Sequence, residues 1–133
     1  MIYSPILMAK YNKCGEETKL LFNKLIEQSS LYCVSHSTVD MKEYHYRLQK
    51  EYPKAKGRKI QNFCLYTLTP FKSGVTVHLR TDGANISSEF LKLDIINESS
   101  YLKGKEWVKF AIRSYEDLEE AIKLIQTVYK AIE

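Results

Sequence analysis

Two strand-like stretches separated by a short loop constrain the fold of this chain more than any other feature. GVTVHLRT (74–81) alternates apolar and polar residues, and QNFCLYTLT (61–69) precedes it, with the loop PFKSG (70–74) between them. Alternation with a period of two is typical of a strand that buries one face, and a loop that begins with Pro and ends with Gly favours a hairpin connection. We therefore predict an antiparallel hairpin over residues 61–81.

The register of this hairpin decides which side chains face the core. The apolar residues at odd positions are Phe63, Leu65, Val75, Val77 and Leu79. A register that buries all of them pairs odd positions with odd positions, for example Leu65 with Leu79. The opposite face would then be polar, and it would bring Tyr66, His78 and Arg80 together.

Amphipathic helices are predicted near both ends of the chain. Residues 16–28 carry apolar side chains at helical spacing, including Leu21 and Leu25, and residues 115–132 carry a second apolar stripe. Ser114 opens the second segment with Asp117 three residues later, which is a variant of the capping box. Further strands are predicted at 31–39, 90–96 and 107–114 from their β-branched and aromatic content.

This order of elements predicts an α+β fold, an antiparallel, meander-like sheet with the N- and C-terminal helices packed on one face. A chain of 133 residues suits one domain, because one core is usual at that length. No apolar run approaches the roughly 20 residues of a membrane helix, and three widely spaced cysteines favour reduced thiols over disulfides. We therefore expect a cytoplasmic protein without a membrane partner.

The positive charge of the chain is concentrated in one segment, KEYHYRLQKEYPKAKGRK (42–59). It holds seven of the 20 Lys and Arg residues and two of the 16 acidic ones, so the rest of the chain has 13 basic and 14 acidic residues (20 − 7 and 16 − 2). The net charge of +4 therefore comes from this segment. Tyr44, Leu48 and Tyr52 are spaced by four, which predicts a short helix followed by a Lys-rich loop that Pro53 begins.

We interpret this basic segment as a surface for nucleic acid, because Lys and Arg displace the counterions of phosphates and tyrosine rings stack on unpaired bases. The predicted contact residues are Lys42, Tyr44, Tyr46, Arg47, Lys50, Lys54, Lys56, Arg58 and Lys59. Two alternatives stay open. The chain is a protein-partner or self-association module whose basic segment is solvated surface, or Tyr66, His78 and Arg80 form a pocket for a small anionic ligand.

Catalytic and cofactor motifs are missing from the sequence. It contains no Gly-x-Ser-x-Gly, P-loop, Rossmann glycine run or His-Glu-x-x-His, and Asp82-Gly83 is typical of a turn. The one near pair of metal-ligand types, Cys33-x-x-His36, supplies too few ligands for zinc. The sequence therefore predicts a non-catalytic binding domain without metal or cofactor.

Three short motifs carry a resemblance to a known family. They are Arg58-Lys59-x-x-Asn62-Phe63, Lys72-Ser73-Gly74-Val75-x-Val77-x-Leu79 and Ser114-Tyr115-Glu116-Asp117-Leu118-Glu119-Glu120-Ala121. Over roughly residues 15–132 the chain resembles an uncharacterised bacterial family catalogued as a domain of unknown function or "predicted transport protein". The resemblance implies a YjbR-like α/β domain of the kind that is often appended to restriction and defence nucleases. The basic insertion at 42–59 is longer than in that family.

Overall fold

The computed structural model describes residues 5–32, 35–37, 45–69, 73–82, 85–96 and 106–131. Along the chain these residues form α1 (Pro5–Asn12), α2 (Glu16–Ser29), a 3-10 turn (Ser30–Tyr32), β1 (Ser35–Ser37), β2 (His45–Glu51), β3 (Ile60–Leu68), β4 (Val75–Arg80), β5 (Asp94–Ile96), β6 (Trp107–Ile112) and α3 (Tyr115–Ala131).

The six described strands form one sheet in the order β1-β2-β3-β4-β6-β5. Every neighbouring pair is antiparallel. The first four strands follow chain order, as in a meander, whereas β6 lies between β4 and β5 and leaves β5 at an edge. The predicted α+β class is confirmed, and so is the predicted hairpin, which β3 and β4 form.

The predicted register of that hairpin is wrong by one residue. Leu65 lies opposite His78, and Val77 lies opposite Tyr66, so Leu65 and Val77 are on different faces of the sheet. The Tyr66 ring takes the helix-covered side, where it stacks on Tyr46 at 6.3 Å between ring centroids. A tyrosine ring buries a large apolar area, so a residue that the pattern classed as polar packs as an aromatic one.

Leu65 is nevertheless buried, because the second face of the sheet has a small apolar cluster of its own. Leu65 packs there with Trp107, and the half-buried Ile96 lies against both. The central strand β3 is therefore buried on both faces. Apolar–polar alternation identifies the register only when one face of the strand is exposed to solvent, so it cannot choose between the two registers of a strand that is buried on both faces.

A β-bulge explains how Phe63 reaches the main core although Leu65 does not. Leu48 pairs with Cys64 and the next residue, Gln49, pairs with Asn62, so Phe63 is an extra residue in β3. A bulge turns its extra residue out of the strict alternation of the strand. Phe63 is fully buried in the same cluster as its neighbour Cys64, and the predicted burial of Phe63 is confirmed.

The helices α2 and α3 cover one face of the sheet, as predicted. The main core joins Leu21, Phe22 and Leu25 of α2 with the inward residues of the sheet and with five residues of α3. Those α3 residues are Leu118, Ala121, Leu124, Ile125 and Val128. Leu20 of α2 is exposed, whereas Phe22 is fully buried.

The predicted start of α3 is confirmed in its hydrogen bonds. The Asp117 N–H donates to Ser114 Oγ at 3.1 Å, and the Arg113 N–H donates to Asp117 Oδ2 at 2.9 Å. Two N–H groups at the helix start are therefore satisfied by side chains. The Ser114 bond is that of a capping box, whereas the Asp117 carboxylate accepts from Arg113, one residue before the N-cap. Glu116 and Asp117 also place negative charge at the positive end of the helix dipole.

The predicted helix in the basic segment is wrong, because residues 45–51 form strand β2. A spacing of four fits both a helix, with its period of 3.6, and a strand, with its period of two. Pairing with β3 decides for the strand, since Tyr46 and Leu48, two residues apart, are both buried in the main core. Helix α1, which the sequence analysis did not predict, begins at Pro5, a residue favoured in the first helical turn.

The other predicted strands are shorter than expected. Of residues 31–39 only Ser35–Ser37 form a strand, and of residues 90–96 only Asp94–Ile96 do. Residues 107–114 contain β6 as predicted. Among the described residues, no helix has the length and apolar character needed to cross a membrane.

Candidate functional site

The basic segment ends in a compact loop, residues 52–59, that joins β2 to β3. The Tyr52 N–H donates to the Lys59 carbonyl at 2.8 Å, which closes the base of the loop, and the Ala55 N–H donates to the Tyr52 carbonyl at 3.1 Å. The Lys59 ammonium donates to the carbonyls of Pro53 and Ala55. These bonds hold the backbone of this 52–59 loop in a defined turn.

A cavity of about 500 Å³ lies beneath this loop and reaches the end of β4. The described residues that line it are Tyr52, Lys54, Ala55, Lys56, Gly57, Gln61 and Arg80. Three of these side chains are cationic and none is acidic. We call this space the loop cavity, and its lining favours an anion.

Arg80, the last residue of β4, is the most buried cation of the site, with 6% of its surface exposed. Its guanidinium lies 4.0 Å above the Tyr52 ring. Nε donates to Asp82 Oδ2 at 2.8 Å, and Nη1 donates to Gln61 Oε1 at 2.8 Å. Stacking and these two bonds fix the plane of the guanidinium, so little side-chain entropy remains to be lost when it binds a ligand.

The guanidinium retains donor capacity toward the cavity. Arginine has five N–H groups, and Arg80 uses two of them within the described residues, which leaves three (5 − 2). A fork of this kind matches the oxygens of phosphate or carboxylate groups. Arg80 can therefore bind an anion without giving up the contacts that hold it.

The Asp82 carboxylate faces Arg80 from outside the cavity lining. Asp82 has a left-handed backbone with a φ of 49°, at the turn that follows β4. Asp and Asn tolerate this conformation better than most residues do. Gly83, the second residue of the predicted turn, lies outside the described residues, and the Asp82 carboxylate lies against Nε of Arg80.

The Tyr52 hydroxyl is buried and has no hydrogen-bond partner among the described residues. Burial raises the pKa of this phenol, and the nearby Arg80 opposes that shift only in part. The side chain is therefore neutral at every physiological pH. Its contribution to the site is the ring on which Arg80 stacks.

The structure divides the predicted nucleic-acid contacts into three groups. Lys54, Lys56 and Arg58 are exposed on the 52–59 loop. Lys42 and Tyr44 lie outside the described residues. The remaining four are Tyr46, Arg47, Lys50 and Lys59, and each of them lies elsewhere or is engaged within the protein.

Tyr46 cannot stack on a base, because only 1% of its surface is exposed. Arg47 is half-buried in β2, opposite Leu65 and thus on the face of the sheet away from the main core. The Lys50 ammonium donates to the Tyr129 carbonyl and lies 4.0 Å from the Tyr129 ring centroid. It therefore satisfies one of the free carbonyls at the end of α3, where a cation also favours the helix dipole.

The prediction that Tyr66 shares a polar face with His78 and Arg80 is wrong. Tyr66 opposes Val77 on the helix-covered side, whereas His78 opposes Leu65 on the other. Arg80 alternates with Leu79 and so points away from Tyr66, toward the loop cavity. Of the three predicted ligand residues, Arg80 alone lines a cavity with the basic segment.

A second cavity, of about 740 Å³, lies between the end of β6 and residues 90–94. Lys92, Lys109 and Arg113 line it together with Asp94 and Asp117. Its charges are mixed, and the Asp117 carboxylate is already bound to the Arg113 N–H. This cavity has no buried side chain comparable to Arg80, so it is the weaker candidate.

Metal binding has no support in the described part of the chain. Its residues contain no group of three or more His, Cys, Asp or Glu side chains that could hold an ion. Cys64 lies in the main core while His78 lies on the opposite face, so those two do not converge. Cys33 and the side chain of His36 lie outside the description.

Gln61 and Asp82 belong to the site although no local sequence pattern marks either of them as a binding residue. Gln61 reaches Arg80 because β3 returns beside the 52–59 loop, and no local pattern marks that approach. The nearest sequence signal for this site is the Tyr52-Pro53 pair, which predicts where the basic loop begins. Only the pairing of three strands brings the loop, Gln61 and Arg80 together.

Fold and site together define an α+β protein with a cationic cavity at one end of its sheet. Comparisons of the chain with protein-family models, with curated proteins and with solved structures found no match. The resemblance to the YjbR-like, defence-associated family therefore stays a prediction.

Proposed function

We propose that this protein is a non-catalytic binding domain that contacts nucleic-acid phosphates through the 52–59 loop. The observation that carries the proposal is the exposure of Lys54, Lys56 and Arg58 on one short loop. Three cations on a compact loop produce a local positive potential, which attracts a phosphate backbone. Among the described residues, no acidic side chain lines the cavity below them.

The proposed surface is smaller than the whole basic segment. Tyr46 and Tyr52 are buried, so stacking by these rings adds nothing to binding. Lys50 and Lys59 hold carbonyls of the protein itself. Binding should therefore be weak, tolerant of sequence and dominated by phosphates.

The test is an affinity measurement with single-stranded and duplex nucleic acid over a series of salt concentrations. Three phosphate contacts should give a slope of about −2 to −3 for log affinity against log salt. Replacing Lys54, Lys56 and Arg58 by Gln should remove most of that slope without changing the melting temperature, because exposed charges contribute little to folding.

The matched control replaces three exposed lysines on the helical side of the chain, Lys13, Lys24 and Lys123, by Gln. It changes net charge by the same amount and leaves the 52–59 loop intact. We expect this control to keep nearly the full salt slope. If both triple variants weaken binding equally, net charge and not the loop is responsible, and the proposal is wrong.

A second candidate function, self-association, is favoured by the exposed edge strand β5. Ile95 in that strand is 67% exposed, and Phe90 just before it is 56% exposed. An edge strand with apolar side chains is a template for pairing with another chain. Sedimentation at increasing protein concentration tests it: a dimer of the wild-type protein that Ile95→Lys abolishes would support this function.

A further inference from the structure

We propose that the loop cavity binds a terminal phosphate of a nucleic-acid strand, a phosphomonoester, in preference to the phosphodiesters within the strand. The inference rests on the proposed function, because it assigns a ligand group to the same loop. It adds a distinction that exposed lysines alone do not make. Three properties of the cavity support this distinction: its depth, its hydrogen-bond donors and its charge.

The depth of the cavity separates a strand end from a strand interior. Lys54 and Lys56 are exposed at its edge, whereas Arg80 is 94% buried (100 − 6) at its inner end. A backbone that runs across the loop reaches the two lysines but carries sugars on both sides of each phosphate. A terminal phosphate projects from the strand and can enter the cavity, which at about 500 Å³ also has room for its sugar.

The donors of the cavity suit three phosphate oxygens. Arg80 keeps three N–H groups free of bonds within the described residues, and its plane is held by Tyr52, Gln61 and Asp82. A phosphomonoester has three strong acceptor oxygens, and a diester has two non-bridging ones. The Arg80 fork binds two of these oxygens through parallel hydrogen bonds, which leaves the third oxygen of a monoester for the ammonium groups of Lys54 and Lys56 in the same lining.

The local charge matches a dianion better than a monoanion. Lys54, Lys56 and Arg80 contribute three positive charges and Asp82 one negative charge, a sum of +2 (3 − 1). A phosphomonoester carries about −1.5 to −2 at pH 7. A phosphodiester carries a single negative charge, so its Coulomb attraction to Arg80 and the two exposed lysines is weaker than that of the dianion.

The experiment compares one oligonucleotide in three forms: a 5′-phosphate, a 3′-phosphate, or hydroxyl groups at both ends. Affinity is measured by fluorescence anisotropy with the label in the middle of the strand, and inorganic phosphate and a nucleoside monophosphate serve as competitors. We expect at least one phosphorylated form to bind roughly tenfold tighter than the hydroxyl form, as charge-assisted hydrogen bonds predict. Inorganic phosphate and the mononucleotide should displace the phosphorylated strand only at concentrations much higher than that of the strand itself.

Arg80→Lys keeps the charge and removes the planar fork. We expect it to reduce the preference for a phosphorylated end to within about twofold. Lys24→Gln, on the exposed side of α2, should leave the preference unchanged. Because Arg80 is buried, each variant is first compared with the wild type by thermal unfolding, and the wild-type preference tests the inference even if Arg80→Lys does not fold.

The outcomes separate this inference from the proposed function. Equal, salt-dependent binding of all three strands overturns the terminal-phosphate inference and leaves the proposed function standing. Displacement by inorganic phosphate or the mononucleotide at the same concentration as the strand also overturns it, in favour of a receptor for free phosphate compounds. Absence of any binding overturns both.

Discussion

At the scale of single residues, Tyr52 joins two roles that conflict energetically. Its ring carries the guanidinium of Arg80, yet its hydroxyl is buried without a partner among the described residues. A buried polar group without a hydrogen bond destabilises a protein by about 1–3 kcal/mol. The ring is therefore favourable to the site, and the hydroxyl is unfavourable to the fold.

We predict that Tyr52→Phe raises the free energy of unfolding by about 1–3 kcal/mol, because it removes the unsatisfied hydroxyl and keeps the ring. The pH dependence checks the cause. Burial raises the pKa of Tyr52 above its ordinary value of 10.0, so the folded state holds the phenol proton more tightly than the unfolded chain does. The stability linked to this proton is fully present below pH 10 and is lost as the pH rises above 10. Tyr52→Phe should lose less stability than the wild type above pH 10.

Tyr11→Phe is the matched control, because Tyr11 Oη accepts a hydrogen bond from Asn23 Nδ2 at 2.8 Å. We expect it to lower the free energy of unfolding by about 0.5–1.5 kcal/mol, the opposite sign. Urea titrations of the three proteins supply both values. A Tyr52→Phe variant that is less stable than the wild type would mean that the hydroxyl has a partner, such as a bound water.

At the scale of elements, Gly74 connects the hairpin to the helices. It has a φ of +91°, and a side chain there would collide with the backbone of Ile112 on β6. Its N–H donates to Thr18 Oγ1 of α2 at 3.1 Å. The glycine thus lets β4 begin close to β6 and at the same time ties the sheet to α2.

We predict that Gly74→Ala is strongly destabilising, by well over the roughly 1–2 kcal/mol of a left-handed backbone conformation, since the collision adds to it. Gly57→Ala is the control. Nothing lies within 4 Å of a Cβ built there and its φ is not positive, so we expect a change of less than about 1 kcal/mol, of either sign. Thermal unfolding of both variants checks the prediction; similar losses at the two glycines would contradict it.

At the scale of the whole molecule, the sheet has two apolar faces of unequal size. The helices cover a large core on one face, and Leu65, Trp107 and Ile96 form the small cluster on the other. Leu65 is as well buried as the residues of the main core, with 1% exposed. The face without α2 and α3 is therefore not entirely exposed to solvent, and its buried cluster contributes to stability.

We predict that Leu65→Ala lowers the free energy of unfolding by about 2–5 kcal/mol, the range for a fully buried leucine. Leu20→Ala is the control, because Leu20 is 56% exposed on α2, and it should change stability by less than about 1 kcal/mol. The fluorescence of Trp107, the single tryptophan of the chain, reports unfolding in both. Equal losses of stability in the two variants would contradict the burial of Leu65 in an apolar cluster on the second face of the sheet.

How much of the fold and the site could be predicted depends on which contacts each feature needs. The β3–β4 hairpin, α2, and α3 with its Ser114 cap follow from patterns within about a dozen residues, and they are confirmed. The exposure of Lys54, Lys56 and Arg58 agrees with the basic loop that the sequence predicted. No local sequence pattern predicts the cavity behind that loop, because its lining also includes Gln61 of β3 and Arg80 of β4.

The hairpin, the two long helices and the place of the positive charge follow from the amino-acid sequence alone, because periodicity, capping and charge act between neighbours in the chain. The tertiary structure alone decided that residues 45–51 are a strand, which face of β3 meets the helices, and that Arg80 lies under the basic loop. A spacing of four fits two periods, and a strand buried on both faces fits two registers. In both cases pairing with distant strands settled the choice, because the burial of large rings such as Tyr46 and Tyr66 depends on contacts between residues far apart in the chain.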